Sequence, residues 1–283
     1  MTSQTNHLRT ITPSGRSQES VKNSIWHLFE EIWKSRKHIR IVFKENFRAS
    51  SAGTGFGALW NYILPLVPLT IYWFLARFRV FPSFEGVDGA VFITYGVTLW
   101  FVFAGCIQIP IQVVQSRQKD SMKTAFPLIA AIMAGFANLV FETSVRLGLV
   151  SVIVLATQSW PHWGVLFLPL AMLPAIFFFG GLGLLLSLMN VIYKDVSRVT
   201  TIVLQYGIFI SGVLFPLAQG GLLSFLNQFN PFYVFIEASR YLAFQGELMF
   251  TPSYIIMSIL SVVIFVKALR MFYVMEYRIR GLV

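Results

Sequence analysis

The sequence predicts an all-α membrane protein with six transmembrane helices. An N-terminal amphipathic interface helix precedes the first span, and short re-entrant outer gate helices lie between spans five and six. Three observations carry this. Of the 283 residues, 56% are hydrophobic and only 12% charged, about half the charge of a water-soluble domain. The apolar residues fall in runs of about 20 or more, the length a helix needs to cross the hydrocarbon layer. Finally, 18 of the 22 lysines and arginines fall on one set of connections and the termini, which the positive-inside rule assigns to the cytoplasm. The net charge of +10 is thereby explained by basic flanks, without a nucleic-acid partner.

Residues 1–22 are polar and contain no apolar signal-peptide core, so a disordered cytoplasmic tail is expected there. Residues 23–50 form the interface helix. Ile25, Phe29, Ile32, Ile39 and Phe43 recur at helical spacing, while Glu30, Glu31, Lys34, Lys37, Lys44 and Glu45 occupy the other side. Such a helix lies in a membrane interface with its lysine and arginine stems reaching the head groups. A small-residue hinge, Ala49 to Gly55, then leads into the six-span transmembrane domain, 51–283.

The six spans are read as Phe56–Phe78, Ala90–Val114, Phe126–Thr157, Trp163–Val191, Val199–Pro216 and Tyr254–Phe272. The third and fourth exceed the bilayer thickness and should tilt or protrude. The gate segment, 222–250, is too long for a turn and too polar for a span, since Asn227, Glu237 and Arg240 are costly against lipid. Asn230 as N-cap and Pro231 as first helical residue fit a short helix reaching about Gly246.

No G-x-x-x-x-G-K-[ST] loop is present, so the chain does not hold ATP in the P-loop manner. His7, His27, His38 and His162 lack metal-ligand spacing, and no carboxylate or histidine constellation suggests a catalytic residue. The single cysteine, Cys106, rules out an internal disulfide. Three features carry function. Glu142 and Arg146 are an i,i+4 pair deep in a span, in the favourable order; they either hold helices together or act at a hinge or gate. The loops Gln115–Ser121 and Tyr193–Arg198 are solvated turns or docking points for a soluble partner. On the first span Asn61, Pro65, Pro68 and Tyr72 share one face, opposite Leu64, Val67 and Ile71. That polar, proline-broken face is a candidate wall of a substrate pathway, with Trp60, Tyr62 and Trp73 beside it. Aromatic rings offer apolar faces to sugar C–H groups.

The order of four segments resembles the membrane subunit of polysaccharide ABC exporters, the type-2 permeases for O-antigen, teichoic acid or capsule. They are Phe43-Lys44-Glu45-Asn46-Phe47-Arg48 with Gly57-Ala58-Leu59-Trp60 and Pro65; Lys123-Thr124-Ala125-Phe126-Pro127-Leu128 with Glu142; Asn190-Val191-Ile192-Tyr193-Lys194-Asp195-Val196; and Asn230-Pro231-Phe232-Tyr233 through Glu237 and Arg240. The first is less basic than is usual in that family, and Lys194 stands where arginine is common. The resemblance implies half of an exporter. A second copy would complete the pore, and two copies of a separate ATPase, carrying ATP and Mg, would bind below. No cofactor is expected in this chain. Lys34, Lys37, Arg117, Lys119, Asp120, Lys194 and Asp195 would then couple to the ATPase, and Asn230, Pro231, Glu237 and Arg240 would form the outer gate. The substrate would be a lipid-linked polysaccharide. A permease for a drug, haem or another lipid, or a membrane glycosyltransferase or acyltransferase, are the alternatives.

Overall fold

A computed structural model describes residues 16, 19–49, 53–78, 87–120, 127–214, 225–247 and 252–281; the side chains of 117–120 and 277–281 are not among them. Every regular element among the described residues is helical, as lipid demands when no water is present to satisfy a strand edge. The principal helices are α1 (Val21–Lys34), α2 (Arg36–Ala49), α3 (Trp60–Arg77), α4 (Gly89–Asp120), α5 (Leu128–Thr157), α6 (Leu173–Ile192), α7 (Asp195–Gly207), α8 (Pro231–Arg240) and α9 (Pro252–Gly281). Among the described residues five stretches are long and apolar enough to cross a membrane: Gly57–Arg77, Gly89–Ser116, Leu128–Thr157, Trp163–Ile192 and Pro252–Glu276.

Three elements differ from the sequence expectation. The interface helix is not one rod; it turns at Ser35 into α1 and α2. The segment expected as the fifth span begins as α7, continues as a 3-10 turn over Ile208–Ile210, and enters a turn at Ser211. Its helical part reaches about 26 Å, less than a bilayer's hydrocarbon thickness. Gly212, at φ +70°, takes the chain out of the helix there. The remainder of that predicted span and the start of the gate segment, 215–224, lie outside the described residues. In the Trp163–Ile192 stretch, a 3-10 run over Trp163–Phe167 and one helical turn, Leu168–Ala171, precede α6. Pro169 and Pro174 each stand in a first turn, where a missing N–H is tolerated.

The bundle is organised on α4. In its most apolar window 78% of residues are buried, against 11% to 33% in the other four spanning stretches. Small residues let neighbours approach it. A Cβ at Gly183 of α6 would collide with the Cys106 carbonyl oxygen and lie 2.9 Å from the Ile107 Cα, and Leu139 of α5 packs against Gly105. The rings of Trp100, Phe103, Phe179 and Phe232 fill the space between α4, α6 and α8; Trp100 and Phe179 each have a centroid 4.3 Å from that of Phe232.

A second cluster closes one end. Leu28 of α1 packs with Leu128, Ile129, Leu269 and Phe272, joined by Val114 and Leu188. Glu276 accepts from the Leu128 backbone N–H at 2.7 Å and lies 3.8 Å from Arg16, while the Tyr273 hydroxyl donates to Glu19 at 2.9 Å. The N-terminal helix, the far part of α9, the exit of α4 and the α6–α7 turn therefore share one end of the bundle. The inner face of α1 is Ser24, Ile25, Leu28 and Ile32; Trp26, Phe29 and Trp33 point outward and exposed.

From that end α2 runs along α5. The Phe47 ring meets Phe141 edge-on at 5.1 Å, and so does Tyr62 of α3 at 5.4 Å. Asn61 Nδ2 donates to the Phe47 carbonyl at 2.9 Å. The start of α3 is thus level with Phe141, roughly 20 Å along α5 from Leu128. The faces expected on α3 are observed: Pro65 is buried and Asn61, Pro68 and Tyr72 half-buried, while Leu64, Val67 and Ile71 are exposed.

Because the α4–α6 contact is backbone to backbone, Gly183→Ala should force these helices apart. The expected loss is about 1–3 kcal/mol, read as a lower thermal-unfolding midpoint of the detergent-solubilised protein. Gly148→Ala, with nothing within 4 Å of the added methyl, should leave that midpoint unchanged or raise it.

Candidate functional site

Where α2, α3, α4 and α5 meet, two adjoining cavities open, of about 240 and 370 Å³. Asn46, Asn138, Glu142 and Arg146 line both. The smaller adds Asn61, Leu64, Pro65 and Phe141, and the larger adds Phe101, Gln108 and Gln112. Five amides, a carboxylate and a guanidinium thus converge from four helices in a bundle that is otherwise apolar at this level. Gln108 and Gln112 are four residues apart on α4, as are Asn138 and Glu142 on α5, so each pair presents one helical face. Pro65 and Pro68 stand inside α3 and carry no N–H to donate to the carbonyls four residues before them.

Inside this cavity Arg146 is 5% exposed. Its Nη2 donates to Glu142 Oε2 at 3.0 Å, and its guanidinium lies 4.7 Å over the Phe101 ring. Its Nε and Nη1 are buried without a hydrogen-bond partner. Glu142 is half-exposed on the cavity side.

Near the other end, Arg240 makes a different kind of site. Its Nη1 donates to Gly212 O at 3.0 Å and to Glu237 Oε1 at 2.7 Å; its Nη2 donates to Val213 O at 2.8 Å and Phe92 O at 3.2 Å. The guanidinium sits 3.5 Å over the Phe92 ring, and Gly96 leaves room for it, since a Cβ there would overlap Nη2. One side chain so joins α8, α4 and the turn after Ile210. Beside it the Tyr95 hydroxyl and Ser239 are hydrogen-bonded. Asn230 caps α8 by accepting from the Phe232 N–H at 3.1 Å, with Pro231 first in the helix. A π-helical turn, Tyr241–Gln245, carries it to Gly246 at φ +76°. The expected helix is present, with its expected start and stop.

The other residues singled out from sequence separate. Asn61 lines the cavity. Tyr62 meets Phe141 edge-on at its rim, and Trp60 meets Phe56 edge-on at 5.6 Å rather than lining it. Tyr72 packs on the α4-centred core. Trp73 lines a different cavity of about 510 Å³ with Thr70, Arg77, Asp88 and Thr157, about 18 Å along α3 from Asn61. Lys34, Lys37, Lys194 and Asp195 are exposed at the α1 end. Lys34 pairs with Glu30 at 2.6 Å, which lowers the Glu30 pKa, and Asp195 with Arg198 at 3.6 Å. Arg117, Lys119 and Asp120 end α4; their side chains lie outside the described residues. Asn46, Gln108, Gln112 and Asn138 were not picked out from sequence, although an amide inside an apolar run was a visible signal. Among the described residues no group of three potential metal ligands occurs.

Residues 37–244 match the family of the ABC-2 type transporter. A curated relative, the O-antigen export system permease protein RfbA of Myxococcus xanthus, is 23% identical over 195 residues, spanning 68% of this chain and 73% of that protein. The chain belongs to the ABC-2 type transporter family and is a transporter membrane subunit.

The Arg240 clasp predicts that Arg240→Met, which strands Glu237 and three carbonyls, destabilises the protein by about 3–5 kcal/mol. Glu237→Gln, which leaves the carbonyl bonds in place, should have a markedly smaller effect. Thermal unfolding of both variants in detergent measures the difference.

Proposed function

We propose that this ABC-2 type transporter chain is the membrane subunit of an exporter that moves a lipid-linked polysaccharide across the cytoplasmic membrane. The observation that carries the reading is the cavity of five amides among apolar helices. Amides donate and accept at once, which suits a hydroxyl-rich chain and has no use against lipid tails. The Myxococcus xanthus relative, named for O-antigen export, agrees in cargo class. A separate ATPase, holding ATP and Mg, supplies the energy and docks on the end that carries Lys34, Lys37, Lys194, Asp195 and the Arg117–Asp120 terminus of α4. That end faces the cytoplasm, with both termini.

Two copies of the chain form the pore. The weakly buried outer face of α3, with Leu64, Val67 and Ile71 exposed, supports contact with a second copy or with lipid. The α7 segment with residues beyond it completes a sixth span, and α8, held by Arg240, forms an outer gate. Asn61 and the cavity face of α3 belong to the pathway on the cytoplasmic side, and Tyr72 and Trp73 to its continuation.

Deleting the gene should abolish the long-chain surface polymer in the native host, and the wild-type gene should restore it. Unchanged surface polymer in the deletion strain would remove the polysaccharide from the proposal. For docking, the double reversal Arg117→Glu/Lys119→Glu should lower stimulation of the partner ATPase about tenfold while the protein still inserts and purifies normally. Wild-type stimulation by that variant would overturn the docking assignment.

A further inference from the structure

The Glu142–Arg146 pair is incomplete as a structural ion pair. A buried pair repays its desolvation only when its remaining donors are also satisfied. Arg240 comes close to that condition, with three carbonyls and a carboxylate on Nη1 and Nη2 and Nε alone left without a partner; Arg146 is much further from it. Only its Nη2 is engaged, by Glu142, while Nε carries one hydrogen and Nη1 two, and both nitrogens are buried without a partner. Among the described residues the guanidinium is the only cation lining either cavity, and the amides of Asn46, Asn61 and Asn138 line the smaller one with it. A guanidinium that lines a roomy cavity, stays charged and keeps donors to spare defines a place for an oxyanion.

The depth identifies where the oxyanion comes from. The apolar stretch of α3 begins at Trp60, and its first turn is level with Phe141. Arg146 lies five residues further along α5, so it sits about 7–8 Å inside the level where α3 starts. The candidate span that contains α3 starts at Gly57, and by that measure the boundary between head groups and acyl chains of the leaflet nearest α1 and α2 falls at the start of α3. A head group drawn in from that leaflet reaches the guanidinium while its tails remain in lipid.

We propose that this cavity is a binding site for the phosphate group of a membrane lipid, with Arg146 as its cationic contact, the surrounding amides as further donors and Glu142 as a competing anion that holds the guanidinium in place when the site is empty. The proposal deepens the export reading and rests on it for the identity of the lipid carrier. The binding assay requires neither transport nor the ATPase, so site and export can fail separately.

The test places the protein in phosphatidylcholine nanodiscs containing graded amounts of phosphatidic acid, and native mass spectrometry counts the lipid retained after release. Wild type should retain one phosphatidic acid per chain saturably, and diacylglycerol, which lacks the phosphate, should not be retained. Arg146→Gln should weaken retention about tenfold. Glu142→Gln should strengthen it, because the competing carboxylate is gone, and this variant decides the matter if Arg146→Gln does not fold. Equal retention by Arg146→Gln, retention of diacylglycerol, or unchanged or weakened retention by Glu142→Gln would each overturn the site. Displacement of the lipid by an equal concentration of inorganic phosphate would overturn the assignment of the anion to a lipid.

Discussion

The architecture depends on the close approach of other helices to α4. Within lipid there is no hydrophobic driving force between helices, so contact must come from surface complementarity and small residues. On α4 these take the form of notches. Gly105 accepts Leu139, Gly96 accepts the Arg240 guanidinium, and the stretch at Cys106–Ile107 is itself received by Gly183. The helix that buries most of its own surface therefore sets the spacing of α5, α6 and α8. The polar cavity exists because α2 and α3 complete the ring around α5 at a level where α4 presents Gln108 and Gln112 instead of another notch.

Two Glu–Arg pairs of nearly identical sequence character have opposite surroundings. Glu237 and Arg240 are three residues apart on a short helix whose arginine reaches backbone carbonyls exposed by the turn at Gly212. Glu142 and Arg146 are four residues apart on a long continuous helix, where neighbouring carbonyls are occupied within the helix itself. Both terminal nitrogens of the guanidinium are engaged, largely by irregular backbone, in one case, and only one of them is engaged in the other. Spacing alone does not distinguish them; what the chain does twenty or more residues away does.

The spanning helices were legible in the sequence because each is a long apolar run with charged flanks, and four of the six expected ranges fall on single helices, the second running on to Asp120 and the last to Gly281. The two faces of α3 were legible for a related reason: polar and proline residues at helical spacing opposed a row of aliphatics. The bend at Ser35 was not, since nothing in the apolar period of residues 23–50 changes there. Nor was the cavity. Its amides stand singly in four different helices, and only packing brings Asn46 beside Asn138. The early end of α7 was hidden by composition, because Ile208, Phe209 and Ile210 look as spanning as any residues in the chain.

The two halves of the N-terminal arm are fastened at opposite ends. Leu28 and its neighbours fix α1 to α9 and α5, and the bond from Asn61 to the Phe47 carbonyl fixes the far end of α2 to the start of α3. Between them lie the bend at Ser35 and the length of α2, which runs along α5. Such a linkage behaves as a bell-crank: a force across α1 becomes a torque at Ser35, and α2 delivers it to the rim of the cavity, about 20 Å away. Mechanical work done at the end of the bundle would then arrive first at Asn46 and Asn61, before it reached the core around α4.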